Sequence, residues 1–536
     1  MAFLPADGGT GILVHFRAAG SAAVPGRGRS RPTLGHCRAR AAAPIRGGSR
    51  LKPQNLLFIL SDEHNKKVTG AYGHPMIRTP NLDRLAVRGT RFTSAYTNCP
   101  ICVPARAALA TGRYVHEVRC WDNAIAYEGR PAAWGHRLMA QGHRAVSIGK
   151  LHYTRSTPAA NGFDEEILPL HIVDGLGDLL GLIRDELPVR TGSRKLGPEA
   201  ARGESEYTAY DRAITDAAVR WITEEARRHR DKPWVLYVGY VAPHFPLVAP
   251  PEFFDLYPED AVPWPGQYAP DQRPRHPFLD AMRNCMQYDV GFTDAAMVRR
   301  AITAYFGLVS FLDHNIGRVL AALEAAGLMQ ETRVVYGSDH GDNLGTRGLW
   351  GKSTMYEESA GIPLIAAGEG VPAGQVSDVP VTLVDLFPTI LQGVGATPHA
   401  DDADLPGQSL FEIASGRARA RVILSEYHAA AAAAATYMIR HGRFKYVHYV
   451  GMPPMLFDLA ADPDERTDLG RDPAHAAVRA ACEAQLRSVV DPEAADRQAR
   501  ADQAAKIAAV GGREAILARG TFRYSPPPGK KPVMFS

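Results

Sequence analysis

The chain has little cysteine, and none of it in the spacing of a disulfide framework: Cys37, Cys99, Cys102, Cys120, Cys285 and Cys482 are scattered over 536 residues. That excludes a small stapled secreted scaffold and favours a cytoplasmic location. Cys99 and Cys102 form a single Cys-x-x-Cys, but no second pair and no paired-histidine motif completes a structural zinc site. No run approaches the roughly 18 apolar residues of a membrane span, so no membrane partner is expected. Charge of one sign is scarce too. The formal net charge is +4, yet residues 1–50 hold eight arginines and one aspartate, a net +7, which leaves −3 for the rest. A basic nucleic-acid footprint on the body of the protein is therefore not indicated.

Hydrophobic residues make up 45% of the chain, enough for a large core, with one big domain and a smaller one. Residues 1–52 read as a disordered extension rich in Arg, Gly and Ala. Its longest apolar stretch, Gly11 to Phe16, is too short for a secretory signal. Beyond it, four apolar runs read as buried parallel strands, and each delivers polar residues at its C-terminal end. Asn55 to Ser61 stops at Asp62-Glu63-His64, and Arg144 to Gly149 leads to Lys150-Leu151-His152. Trp234 to Val241 leads to Pro243-His244-Phe245-Pro246, and Arg333 to Ser338 stops at Asp339-His340-Gly341-Asp342-Asn343. Helical patterns at Tyr207–Arg228 and Met297–Ala326 have crossover length. The fold class is therefore α/β, a large doubly wound, mainly parallel sheet over residues 53–395. In such sheets the ligand crevice lies at the carboxyl ends of the strands.

Between the first two strands lies Cys102-Val103-Pro104-Ala105-Arg106, followed by Ala107-Ala108-Leu109-Ala110-Thr111-Gly112-Arg113. Pro104 suits a first helical turn, the alanines propagate the helix and Gly112 ends it. Cys102 then sits at a helix N-terminus, where negative charge is favoured. This stretch resembles the modification signal of the type I sulfatases. Asp62, Lys150 and His152, His244, the Ser338-Asp339-His340-Gly341 turn and Trp350-Gly351-Lys352 follow the order of that family's motifs. Thr79-Pro80-Asn81-Leu82-Asp83-Arg84-Leu85 and Leu456-Phe457-Asp458-Leu459 extend the likeness to nearly everything beyond the extension. A histidine at position 340 resembles the choline sulfatase and phosphonate monoester hydrolase branches.

The resemblance implies that a maturation enzyme oxidises Cys102 to formylglycine, whose hydrate attacks a sulfate ester. It implies a divalent metal held by Asp62, Cys102, Asp339 and His340, with Ca2+ first and Mn2+ or Zn2+ credible. It makes Arg106 a stabiliser of the hydrate, and Asn123, Lys150 and Lys352 the groups that meet the sulfate. His152 takes a proton from the hydrate and His244 protonates the leaving oxygen. Glu63 departs from the paired aspartates of many arylsulfatases, and its contact with the metal stays open. Two rival readings are a phosphonate monoester or phosphodiester hydrolase and a noncatalytic binder on the same scaffold. Lys150 together with His152 favours sulfate over the first, and the filled polar positions argue against the second.

After about Gly395 the texture changes to short β-like pieces, Arg421–Glu426 and Phe444–Tyr449, with a helix from about Asp472 to Val489. Residues 396–510 are read as a C-terminal subdomain with a small antiparallel sheet. The tail, 511–536, carries Tyr524-Ser525-Pro526-Pro527-Pro528-Gly529 and resembles tails that wrap neighbouring subunits, so a homo-oligomer is expected. Tyr72, Trp121, Trp350 and Tyr356 are candidates for an aromatic wall facing a quaternary ammonium.

Overall fold

A computed structural model describes residues 51–154 and 156–535. The expectations for the first fifty residues, Cys37 included, lie outside them. The main sheet has eight strands: β1 (Asn55–Asp62), β2 (Gly89–Phe92), β3 (Ala145–Lys150), β4 (Glu165–Leu170), β5 (Val235–Pro243), β6 (Thr332–Ser338), β7 (Leu364–Ala367) and β8 (Gln375–Ser377). Their spatial order is β8-β2-β7-β6-β1-β5-β3-β4, with only β7 antiparallel to its neighbours.

Both faces of this sheet are covered, which is why its central strands are continuous apolar runs rather than alternating ones. Leu56, Phe58 and Leu60 of β1 point to one face, into a cluster with Ala105 and Leu109 of α1 (Cys102–Thr111). Leu57 and Ile59 point to the other, against Ile214 of α2 (Glu206–Arg220) and Phe311 of α3 (Ala295–Ala325). α2 is shorter than its pattern suggests, because after Arg220 the chain tightens and loosens through a π turn and a 3-10 turn to Arg228. By length and composition α3 would suffice to cross a membrane, contrary to the reading of the sequence alone. Of its most apolar 18-residue stretch 72% is buried inside the fold, so it is a core helix.

Register places the site. β1 runs in step with β5, Leu56 opposite Val235, and with β6, Asn55 opposite Thr332 and Ser61 opposite Ser338. β3 runs in step with β5 as well, Ala145 opposite Val235. Parallel strands in register end at one edge, so Asp62, Lys150, Pro243 and Asp339 emerge together.

A second, antiparallel sheet is a meander of β9 (Ile423–Tyr427), β10 (Thr436–His441), β11 (Phe444–Tyr449) and β12 (Met452–Asp458). The helix expected at 472–489 is a 3-10 turn followed by Ala476–Arg487. A further helix, Pro492–Ala509, was not legible in the sequence; its alanine and charge are spread around the axis without an apolar stripe. Side chains of this sheet share a core with Tyr96, Ala108, Tyr114 and Trp121 of the main domain.

An ion pair crosses the same seam: His116 Nδ1 lies 3.0 Å from Glu426 Oε1, whose side chain is fully buried. Burial pushes the Glu426 carboxyl up, but His116 and His428 outweigh it and hold it at about 2. Burial pulls His116 down, yet Glu426 raises it above its ordinary 6.5. The lowered carboxyl stabilises the fold above its ordinary 4.5 and loses that contribution as pH falls toward 2. The raised histidine stabilises below 6.5 and loses its contribution as pH rises through the folded value. The pair therefore contributes most between the two ordinary values. Glu426→Gln should lower Tm most between the ordinary values of 4.5 and 6.5, with the deficit shrinking as pH rises through the raised His116 value; differential scanning fluorimetry across pH would show it, and a deficit independent of pH would contradict it.

Candidate active site

α1 begins at Cys102, with Ile101 as its extended N-cap and Gly112 closing it in the left-handed conformation at φ 69°. Cys102 Sγ lies 3.2 Å from His340 Nε2 and 3.6 Å from Asp62 Oδ1. His340 donates Nδ1–H to the Gly341 carbonyl at 3.1 Å, which leaves the Nε2 lone pair facing inward. Asp62, Cys102, Asp339 and His340 each bring a ligand atom within 4.8 Å of the others, and all four are buried. Two carboxylate oxygens, an imidazole nitrogen and the position-102 side chain are a donor set that fits a divalent cation. A second group, Asp62, Glu63 and His244, shares Asp62.

Arg106 lies one helical turn after Cys102 and is 1% exposed. It donates Nε–H to Asp339 Oδ2 at 2.8 Å and Nη2–H to Asp62 Oδ2 at 3.3 Å. Its Nη1 donates to the Lys150 carbonyl and the Tyr237 hydroxyl, both at 2.8 Å. Arg106 thus clamps the two carboxylates from behind rather than facing the pocket alone. Lys150 Nζ also pairs with Asp62 Oδ2. Burial pushes Asp62 up, but Lys150, His244, Lys352 and Arg106 together hold it well below the usual carboxylate range.

Lys352 Nζ sits 3.4 Å from Cys102 Sγ and 3.0 Å from Glu63 Oε2. His244 Nε2 is 3.2 Å from the same Glu63 oxygen, and its Nδ1 donates to the Phe245 carbonyl at 2.6 Å. With Nδ1–H committed, the contact between His244 Nε2 and Glu63 needs one shared proton. Burial raises Glu63 to about 8, and burial with Lys352 lowers His244 well below its ordinary value. Glu63, left open by the sequence, therefore orients a lysine and a histidine.

Asn123 lines the pocket, and its Oδ1 accepts the Val103 amide at 3.1 Å, capping α1 directly beside Cys102. His152 stands at φ 60°, its Nε2 2.9 Å from Ser525 Oγ and its Nδ1 buried with no hydrogen-bond partner among the described residues. The pocket above Cys102 is lined by these residues together with Asp178, Arg190, Tyr207, Tyr288 and Thr521–Ser525.

The four candidates for an aromatic wall, Tyr72, Trp121, Trp350 and Tyr356, do not line the pocket and pack elsewhere in the fold. Trp350 stacks on Phe292 with centroids 4.1 Å apart, and Tyr356 lies under the Arg347 guanidinium. Tyr72 donates its hydroxyl to the Leu364 carbonyl, and the Trp121 indole donates to Asp502. The rings at the pocket are Tyr207, Phe245, Tyr288, Phe522 and Tyr524. Tyr237 and Ser525 were also missed; neither sits in a motif, and only tertiary contact reveals them. Cys99 is a free, fully buried thiol.

The chain is similar in sequence and in fold to several known proteins. The family model described as Sulfatase matches residues 54–396, and that of the N-sulphoglucosamine sulphohydrolase C-terminal region matches 345–491. A choline-sulfatase of Rhizobium meliloti (strain 1021) is 32% identical over 427 residues, covering 78% of this chain and 83% of that protein. Human arylsulfatase K is 30% identical over 470 residues, covering 82% of this chain and 81% of that protein. Among solved structures, the phosphonate monoester hydrolase of Agrobacterium radiobacter shares the fold with a TM-score of 0.65 at 22% identity, covering 81% of this chain and 95% of that one. By these matches the chain belongs to the sulfatase family and is a sulfuric ester hydrolase of type I.

Proposed function

We propose that the enzyme hydrolyses sulfate monoesters through formylglycine generated from Cys102, with a divalent cation held by Asp62, Asp339, His340 and the modified side chain. The observation that carries this reading is the convergence of those four positions with Lys150 and Lys352 at one sheet edge. Unmodified, Cys102 would be a poor nucleophile: burial, with Asp62 adding to it, pushes the thiol up to about 12. An aldehyde hydrate supplies an oxygen nucleophile instead, and the cation favours its ionised form. Ca2+ is the first choice of metal for the two carboxylates, with Mn2+ or Zn2+ suited to the imidazole.

Around that nucleophile the protein's own groups divide the work. Lys150 and Lys352 place ammonium charge against the sulfate oxygens, where negative charge develops as the ester bond breaks. Asn123 fixes the start of α1 and faces the same oxygens. His244, sharing a proton with Glu63, passes one to the departing alcohol. His152 then takes the proton whose loss accompanies sulfate release and restores the aldehyde.

A phosphonate or phosphodiester substrate is the second reading, favoured by His340 and by the likeness in fold to a phosphonate monoester hydrolase. Comparing kcat/KM for an aryl sulfate with that for an aryl phosphonate monoester separates the two. The sulfate ester should be preferred by at least about tenfold, and a large preference for the phosphonate would reverse the assignment.

A further inference from the structure

The C-terminal tail closes over this pocket from its own chain. After Gly520 ends the preceding helix, Thr521–Phe522 pairs antiparallel with Met534–Phe535. Thr521 donates to Asp178 at 3.1 Å and accepts from Arg190 at 3.2 Å. Arg523 pairs with Glu199, and the Tyr524 ring packs on Tyr207 with centroids 4.9 Å apart. The Tyr207 hydroxyl donates to the Ser525 carbonyl at 2.7 Å, and three prolines that follow restrict the backbone beyond it. These anchors fix Ser525, 7% exposed, with its hydroxyl on His152 Nε2.

His152 needs such a partner. It follows β3 at a positive φ, outside the ladder, and its Nδ1 has no hydrogen-bond partner among the described residues. A neutral imidazole carries its proton on one nitrogen only, and a hydroxyl can meet Nε2 as acceptor or as donor, so the contact with Ser525 fixes the plane of the ring in either tautomer. When Nε2–H donates to Ser525 Oγ, the Nδ1 lone pair is free to accept a proton. We propose that Ser525 is a positioning residue, through which the docked tail holds the orientation of the His152 ring for sulfate release. This rests on the reading that His152 takes the proton in the second half of the reaction.

Rapid quench with a chromogenic aryl sulfate, on the metal-loaded, formylglycine-containing full-length enzyme, separates alcohol release from sulfate release. Ser525→Ala should give a burst of alcohol stoichiometric with enzyme, then a steady state slower by about 10- to 100-fold, with kcat and KM falling together. Ser525→Thr, which keeps the hydroxyl, should restore the rate. Wild-type kinetics in Ser525→Ala, or a loss of both phases that threonine does not rescue, would overturn the assignment. His152→Ala tests the underlying reading on its own: a burst supports it, whereas slowed alcohol release removes it whatever Ser525 does.

Discussion

Cys102→Ala should lower kcat/KM on an aryl sulfate by at least about 10⁴-fold while leaving the fold intact, because the lost group is the nucleophile and alanine is a good helix former at the start of the alanine-rich α1. The stronger form of the prediction concerns the wild-type chain. A thiol pushed to about 12 by its buried setting contributes almost no thiolate at neutral pH. Protein made without a maturation enzyme should therefore be folded, carry an intact Cys102 and be nearly inactive. Active protein should show the peptide containing position 102 lighter by about 18 Da, sulfur exchanged for oxygen with two hydrogens lost. Peptide mass spectrometry on both preparations checks this, and full activity with unmodified Cys102 would contradict it.

The part of the site legible in the sequence was the part built on strand ends. A run such as Asn55–Ser61 announces a strand buried on both faces, and the polar residue that stops it must emerge at the sheet edge. Asp62, Lys150, Asp339 and His340 were readable in that way, and the structure brings them together. His244 follows β5 by the same rule. What could not be read depends on which face of a loop looks inward. Trp350 sits two residues before Lys352, yet it stacks away from the pocket on Phe292. Ser525 lies more than 370 residues from His152 in a proline-rich tail, and no periodicity connects them. The tail itself, expected to reach a neighbouring subunit, has Thr521, Tyr524 and Ser525 engaged with their own chain.

Asp339→Asn and Arg106→Met should both destabilise the protein, but only one of them should be rescued by a divalent metal. In the wild type, Arg106 is buried between two carboxylates, and the Asp339 Oδ1 atom also accepts the Glu63 and His340 amides at 3.2 and 3.0 Å. Asparagine at 339 can keep the amide contacts, but it removes the charge facing Arg106 and a ligand oxygen together. Breaking a buried pair from one side costs about 3–5 kcal/mol, and the variant should also lose turnover by at least about 10³-fold. Arg106→Met leaves Asp62 and Asp339 facing each other with Lys150 paired to Asp62 and the His340 ring beside both, so in EDTA it should melt early as well. Here, however, both ligand carboxylates remain, and a bound cation takes over the neutralisation that Arg106 supplied. Metal at a hundred times its Kd contributes about 2.7 kcal/mol to wild-type stability, and more to a protein whose carboxylates repel without it. Thermal melts with EDTA and with added Ca2+ or Mn2+ should therefore show a large upward shift for Arg106→Met, a moderate one for wild type and almost none for Asp339→Asn. Equal shifts in all three proteins would mean that the cluster is a structural ion-pair network and that the cation binds elsewhere.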